Sequence, residues 1–232
     1  MLPIRDNIRS KRFPIINVAL IIACVVVFVA QYRYGFRASL EEWAFRPGHL
    51  LPGSGGWPVD GLIALGLSMF MHGGPVHLLG NMLFLWVFGD NIEDRMGHGK
   101  YLVFYVLCGA IATFAHAIPA LFVGGAAVPL VGASGAIAGV LGAYFVLFKH
   151  AKVRTLVFFF VIVTMVDLPA GLFLVIWLVL QIVSIGGGPV AYLAHIGGFA
   201  AGYLLVRVFA DTSEPRPPQV PPPPRVTNLR IE

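Results

Sequence analysis

Ala194-His195-Ile196-Gly197-Gly198-Phe199-Ala200-Ala201-Gly202 opens an apolar run that continues to Phe209, the composition of a helix that lives in hydrocarbon. An imidazole at the head of such a run is costly to keep there, and ionisable residues at membrane depth are functional-site candidates by default. At about 100° per residue, His195, Gly198 and Gly202 fall within roughly a 60° arc, which leaves a groove free of side chains beneath the ring. A second run supplies a counterpart. Gly132-Ala133-Ser134-Gly135 heads the apolar stretch to Phe148, and Gly132, Gly135, Gly139 and Gly142 lie roughly 80 to 160° around from Ser134. Small residues at such spacings let transmembrane backbones approach closely. If the two glycine faces pack, the Ser134 hydroxyl comes within hydrogen-bond reach of His195, the arrangement of a nucleophile and its base.

Working outward, the composition places these runs in a membrane. Of 232 residues 58% are hydrophobic and only 12% charged, against about 25% charged in soluble domains, and the mean hydropathy is +0.83. The predicted fold class is an all-α polytopic membrane protein, a bundle of six transmembrane helices at about residues 14–32, 75–92, 101–122, 132–148, 168–185 and 190–209. With the N-terminus inside, thirteen of the sixteen Lys and Arg are cytoplasmic and only Arg33, Arg37 and Arg46 lie outside, so the net charge of +5 records topology rather than a nucleic-acid partner. Both termini are therefore expected in the cytoplasm. The first span lacks a small-residue cleavage site and is taken as a retained helix. Residues 155–166 are apolar, but twelve residues cover only about 18 Å, so a cytoplasmic loop or shallow segment is expected there, with a seventh span as the lesser alternative. Cys24 and Cys108 fall inside apolar runs and read as small buried hydrophobes.

The domain organisation follows from these limits. Residues 1–13 form a cytoplasmic N-terminal segment, residues 14–209 the helical domain, and residues 34–74 within it a long outer loop whose Trp43, Arg46 and Trp57 suit the headgroup level. Residues 210–232 are a Pro-rich tail that cannot bury a core, and extended disorder outweighs a docking role for it. Gly186-Gly187-Gly188-Pro189 precedes the His195 run and is placed to act as a lid.

Topology tests the catalytic idea. The second, fourth and sixth spans run in the same direction, and each carries its unusual polar residues near the outer end: His77 and Asn81, Ser134, and His195. His77 and Asn81 are four apart and share a helix face, where they could donate to an oxyanion together with backbone N–H groups at the start of the fourth span. Asp90, Glu93 and Asp94 lie at the far end of the second span, too distant for a third triad member, and Glu93 and Arg95 read as a structural cap or ion pair. His49, His72, His98, His116 and His150 read as surface or interfacial residues. No His-Glu-x-x-His occurs, so a zinc protease is not expected.

Three motifs in this order, His77-Leu-Leu-Gly-Asn81, Gly132-Ala-Ser134-Gly135 and Ala194-His195-Ile-Gly-Gly198-Phe-Ala-Ala-Gly202, together with Gly89-Asp-Asn-Ile-Glu-Asp-Arg95, resemble the rhomboid intramembrane serine proteases. The likeness covers most of residues 1–209. It implies a serine endopeptidase of a prokaryotic cytoplasmic membrane that needs no cofactor or metal, with Ser134 as nucleophile, His195 as general base and acid, and His77 and Asn81 as oxyanion partners beside the Ser134 N–H. Its partners would be the lipid bilayer and single-span membrane proteins cut in or near their transmembrane segments, with no nucleic acid involved. Nothing in the sequence sets an oligomeric state. One departure stands out: some members carry an aromatic residue four positions after the serine, stacked on the histidine, and here that position is Ala138. Other contacts must then orient His195. A non-proteolytic rhomboid-like protein that binds transmembrane helices is the alternative, but it would be expected to lack the nucleophile or the base. A small transporter would need a charged residue at mid-membrane, which is not evident.

Overall fold

The computed structural model describes residues 1–51, 59–159, 162–187 and 190–210. Among them are eight α-helices: α1 (Ile15–Tyr34), α2 (Phe36–Trp43), α3 (Val59–Ser68), α4 (Pro75–Met96), α5 (His98–Phe122), α6 (Ser134–Phe148), α7 (Ala170–Val183) and α8 (Tyr192–Phe209). Three strands accompany them, β1 (Leu2–Asp6), β2 (Lys152–Phe159) and β3 (Ile162–Pro169). Of the helices, α1, α5 and α8 are long and apolar enough to cross a membrane. The 15 residues of α6 and the 14 of α7 cover only about 22 and 21 Å, short of the roughly 30 Å hydrocarbon core.

Helix α6 is the centre of the molecule. Every residue from Gly135 to Tyr144 is buried, as befits a helix that is apolar all round. Its closest neighbour is α8, and the crossing is made of backbone against backbone. A Cβ on Gly202 would lie 1.8 Å from the Gly139 carbonyl oxygen, one on Gly198 2.1 Å from that of Gly135, and one on Gly142 2.1 Å from that of Phe199. On its other face Gly139 abuts Cys108 of α5, which is buried as a free thiol, like Cys24. Two helices with side chains at these positions could not approach so closely.

The expectation of an all-α fold is corrected at the end of the bundle where α4 finishes. There the three strands form an antiparallel sheet in the order β1-β2-β3, with β2 and β3 in register from Lys152↔Pro169 to Phe159↔Ile162 and β1 paired from Leu2↔Leu156 to Asp6↔Val153 across an irregularity between Pro3 and Arg5. Residues 155–159 and 162–166 are therefore strand rather than loop. Val153, Thr155, Val157, Val163, Thr164 and Val166 are β-branched, and a run too short to span satisfies its backbone by pairing with itself and with the N-terminal segment.

The motif from Gly89 to Arg95 ties that N-terminal segment to the bundle. Both carboxylate oxygens of Glu93 accept backbone N–H groups at the start of α1, from Ile16 at 2.9 Å and Asn17 at 2.7 Å, and so cap a helix whose own N-terminal residue, Pro14, offers no side-chain cap. Asn17 donates to the Leu85 carbonyl at 3.0 Å and accepts from the Tyr101 hydroxyl at 2.8 Å. A Cβ at Gly89 would sit 2.0 Å from its oxygen. Asn91 and the Tyr144 hydroxyl both donate to Asp6 of β1, and the Ser10 hydroxyl donates to Asp90 at 2.7 Å.

At the opposite end lies the predicted outer loop, described at residues 34–51 and 59–74. It contains α2, α3 and a 3-10 turn at Pro47–Leu50. Trp43 stacks against Tyr34 at 4.5 Å between centroids, and the Arg46 guanidinium donates to the Leu40 carbonyl at 3.3 Å; Trp57 lies outside the described residues. The loop also holds the segment leading to α6, because Leu130 N–H donates to the Phe45 carbonyl at 2.7 Å and Gly132 N–H to the Ser68 carbonyl at 2.9 Å.

Candidate active site

Ser134 is the first residue of α6, so the backbone N–H groups of its turn are among those a helix leaves without an internal acceptor. The turn into the helix passes through Gly132 at φ +131°, a conformation other residues rarely adopt. This irregular backbone is enclosed by protein, with Ala133 buried and the Gly132 N–H held by the Ser68 carbonyl. Such backbone is tolerated at membrane depth where protein or a water-filled cavity surrounds it.

The α6–α8 crossing brings His195, in the first turn of α8, against Ser134. Nε2 of the ring lies 2.8 Å from Ser134 Oγ. His77 and Asn81 reach the same place from α4, and with Ser134, His195 and Trp177 they line one cavity of about 230 Å³. Nδ1 of His77 accepts from the Gly73 N–H at 3.3 Å, which leaves the proton on its Nε2. That nitrogen lies 3.0 Å from where a Gly132 side chain would begin. The amide nitrogen of Asn81 is buried and donates to nothing among the described residues. The four residues singled out in the sequence thus stand around one cavity, at the end of the bundle away from the sheet.

What orients His195, given Ala138, is visible in α7. Gln181 Oε1 lies 2.7 Å from His195 Nδ1, and the Trp177 ring lies tilted by 34° beside the imidazole, 5.9 Å between centroids. Sequence reasoning passed over both. The signal was there, since Gln181 is the one hydrogen-bonding aliphatic side chain in Ala170–Val183 and a Gln in such a run invites the question asked of Ser134 and His195.

His72 also needs correction. It is fully buried rather than interfacial, because Gln31 of α1 clamps its backbone: His72 N–H donates to Gln31 Oε1 at 3.0 Å and Gln31 Nε2 to the His72 carbonyl at 3.3 Å. Burial, with the neighbouring His77, pushes the His72 imidazole down to about 4, so it is neutral at physiological pH. Among the described residues no three His, Cys, Asp or Glu side chains converge to hold a metal ion. Of the proposed lid, Gly188 and Pro189 lie outside the described residues, while Gly186 takes φ +81°.

Fold and site together define an integral membrane protein of mostly helical architecture, with a serine and a histidine paired in a recessed cavity. The chain belongs to the rhomboid family: the Rhomboid domain model matches residues 60–212. It is 29% identical over 216 residues to the rhomboid protease GlpG of Serratia proteamaculans, and 26% identical over 214 residues to that of Yersinia enterocolitica, in each case across 89% of this chain and 66% of the relative. The rhomboid protease GlpG of Yersinia pestis is 25% identical with the same coverage. The chain thus spans about two thirds of the length of these relatives.

Proposed function

We propose that this chain is a serine endopeptidase that hydrolyses peptide bonds in or near the transmembrane segments of single-span membrane proteins. The observation that carries the proposal is the 2.8 Å approach of His195 Nε2 to Ser134 Oγ at the cavity that His77 and Asn81 also line. Ser134 Oγ attacks the scissile carbonyl carbon as His195 Nε2 takes its proton. The resulting oxyanion is met by Asn81 Nδ2–H, His77 Nε2–H and the Ser134 backbone N–H, donors that strengthen as charge develops. His195 passes the proton to the leaving amine. Water then gives its proton to His195, its oxygen attacks the acyl-enzyme, and the carboxylate product leaves as Ser134 is regenerated.

The same proposal completes the span count at six. Helices α4, α6 and α7 cross with α1, α5 and α8, the short α6 being buried among its neighbours from Gly135 to Tyr144. The Lys and Arg distribution orients the sheet end, with the N-terminus, toward the cytoplasm of a prokaryotic cell and the cavity toward the outside. The test is cleavage of a panel of single-span proteins by purified protein in liposomes. Cleavage by wild type that is abolished in Ser134→Ala and His195→Ala, with insertion unchanged, is the expected result. Equal cleavage by wild type and Ser134→Ala would overturn the assignment.

A further inference from the structure

Gln181 lies near the C-terminal end of α7, one turn after Trp177 and on the same face. Its carboxamide makes two hydrogen bonds that constrain each other: Nε2 donates to the Trp177 backbone carbonyl at 3.1 Å, and Oε1 sits 2.7 Å from His195 Nδ1. Turning the amide over would set oxygen against the Trp177 carbonyl oxygen and would lose that bond, so the acceptor end is held toward the histidine. An acceptor opposite Nδ1 requires a proton on Nδ1. A neutral imidazole carries only one proton, so Nε2 is left with its lone pair, and Nε2 is the atom 2.8 Å from Ser134 Oγ.

We propose that Gln181 is a positioning residue for the reaction. It selects the Nδ1–H tautomer of His195 and, with the Trp177 ring, fixes the plane in which Nε2 meets Ser134. The inference rests on the proteolytic role proposed above. One helix face supplies both constraints, which accounts for an unhindered Ala138 at the position where a stacked aromatic is found in some relatives. An amide also suits the place better than a carboxylate would. It offers an oxygen acceptor without a buried charge, which in a water-poor site would need a counter-ion of its own.

The test uses the full chain in liposomes, with a cleaved single-span substrate, a fluorophosphonate probe for Ser134 and ¹⁵N-histidine NMR. Gln181→Leu removes the acceptor at similar volume. It should lower kcat roughly 10- to 100-fold, a fraction of what a positioned general base supplies, with KM within about twofold, and should slow probe labelling in parallel. Gln181→Glu restores the acceptor and adds charge. It should recover most of kcat and move the acid limb of the kcat/KM profile to higher pH by about one unit, because an anion favours the imidazolium. In wild type the His195 ¹⁵N shifts should report a protonated Nδ1, and in Gln181→Leu a mixture of tautomers. A merely structural glutamine would not produce the pH shift or the tautomer change.

Wild-type kcat and labelling in Gln181→Leu would overturn the inference, as would a wild-type His195 protonated on Nε2. If Gln181→Leu fails to fold, the pH profile of Gln181→Glu and the wild-type tautomer still decide it. If wild type and Ser134→Ala cleave alike, the protease role falls while the NMR arm continues to test the bond to Gln181.

Discussion

Asn81 keeps a buried amide nitrogen without a partner among the described residues, a condition that costs roughly 1–3 kcal/mol in an ordinary interior. A donor held in reserve for an oxyanion would explain it. Asn81→Ala should therefore separate stability from activity: thermal unfolding should show little loss, since the amide nitrogen gives up no bond among the described residues, while kcat falls about 10²- to 10³-fold with little change in KM. His77→Ala should act on kcat in the same sense. If both variants retain wild-type kcat, the two residues are helix-packing contacts and the oxyanion is met by backbone alone.

Between elements, the α6–α8 crossing and the docking of β1 respond to different perturbations. Gly202→Val would drive a side chain into the Gly139 carbonyl, where even a Cβ lies at 1.8 Å. A loss of about 1–3 kcal/mol or more is expected, with catalysis failing as Ser134 and His195 separate. Gly66→Ala in α3, where a Cβ meets nothing within 4 Å, should instead be neutral or stabilise by roughly 0.5–1 kcal/mol. Unfolding in detergent followed by circular dichroism would distinguish them, and equal midpoints for the two variants would refute the backbone-contact account. Docking of β1 should respond to pH. Burial, opposed by the Tyr144 hydroxyl and reinforced by nearby Asp90, raises the Asp6 carboxyl to about 7. A carboxyl raised on folding contributes stability that is complete below its unfolded value near 4 and is lost as pH rises through about 7. Amide exchange in β1 should accordingly speed up, beyond the intrinsic rate, from pH 5 to pH 8, and Asp6→Asn should flatten that dependence. An unchanged pH dependence in Asp6→Asn would assign it to another group.

For the whole molecule, the proposed endopeptidase role carries a substrate requirement. An intact helix in lipid hides its backbone, so a peptide bond reaches Ser134 only if the segment unwinds locally. Gly or Pro at the outer boundary of a substrate makes that easier by roughly 1–3 kcal/mol per residue relative to good helix formers. Replacing such residues with Leu in a cleaved substrate should suppress cutting. Kinetics on matched substrates would check this, and equal rates for a uniform Leu helix would remove unwinding as the basis of specificity without touching the catalytic assignment.

Much of this was legible in the chain itself. Hydrophobic length and the position of Ser134, His195, His77 and Asn81 within their runs depend on order along one segment, so they could be read without knowing any neighbour. The glycine spacings of α6 and α8 indicated which faces approach. The sheet was hidden, because β2, its central strand, finds half of its pairing in residues 2–6, about 150 positions away, and apolar content alone does not distinguish a strand from a shallow membrane segment. The Glu93 cap on α1 and the burial of His72 under Gln31 were hidden for the same reason, and of the bond that His195 makes to Gln181 only the polar side chain in an apolar run was visible. Local sequence determined which segments are apolar and where along each run its polar groups fall, whereas the tertiary structure alone decided which of those groups touch, because a hydrogen bond between helices is settled by their relative rotation and crossing rather than by either sequence.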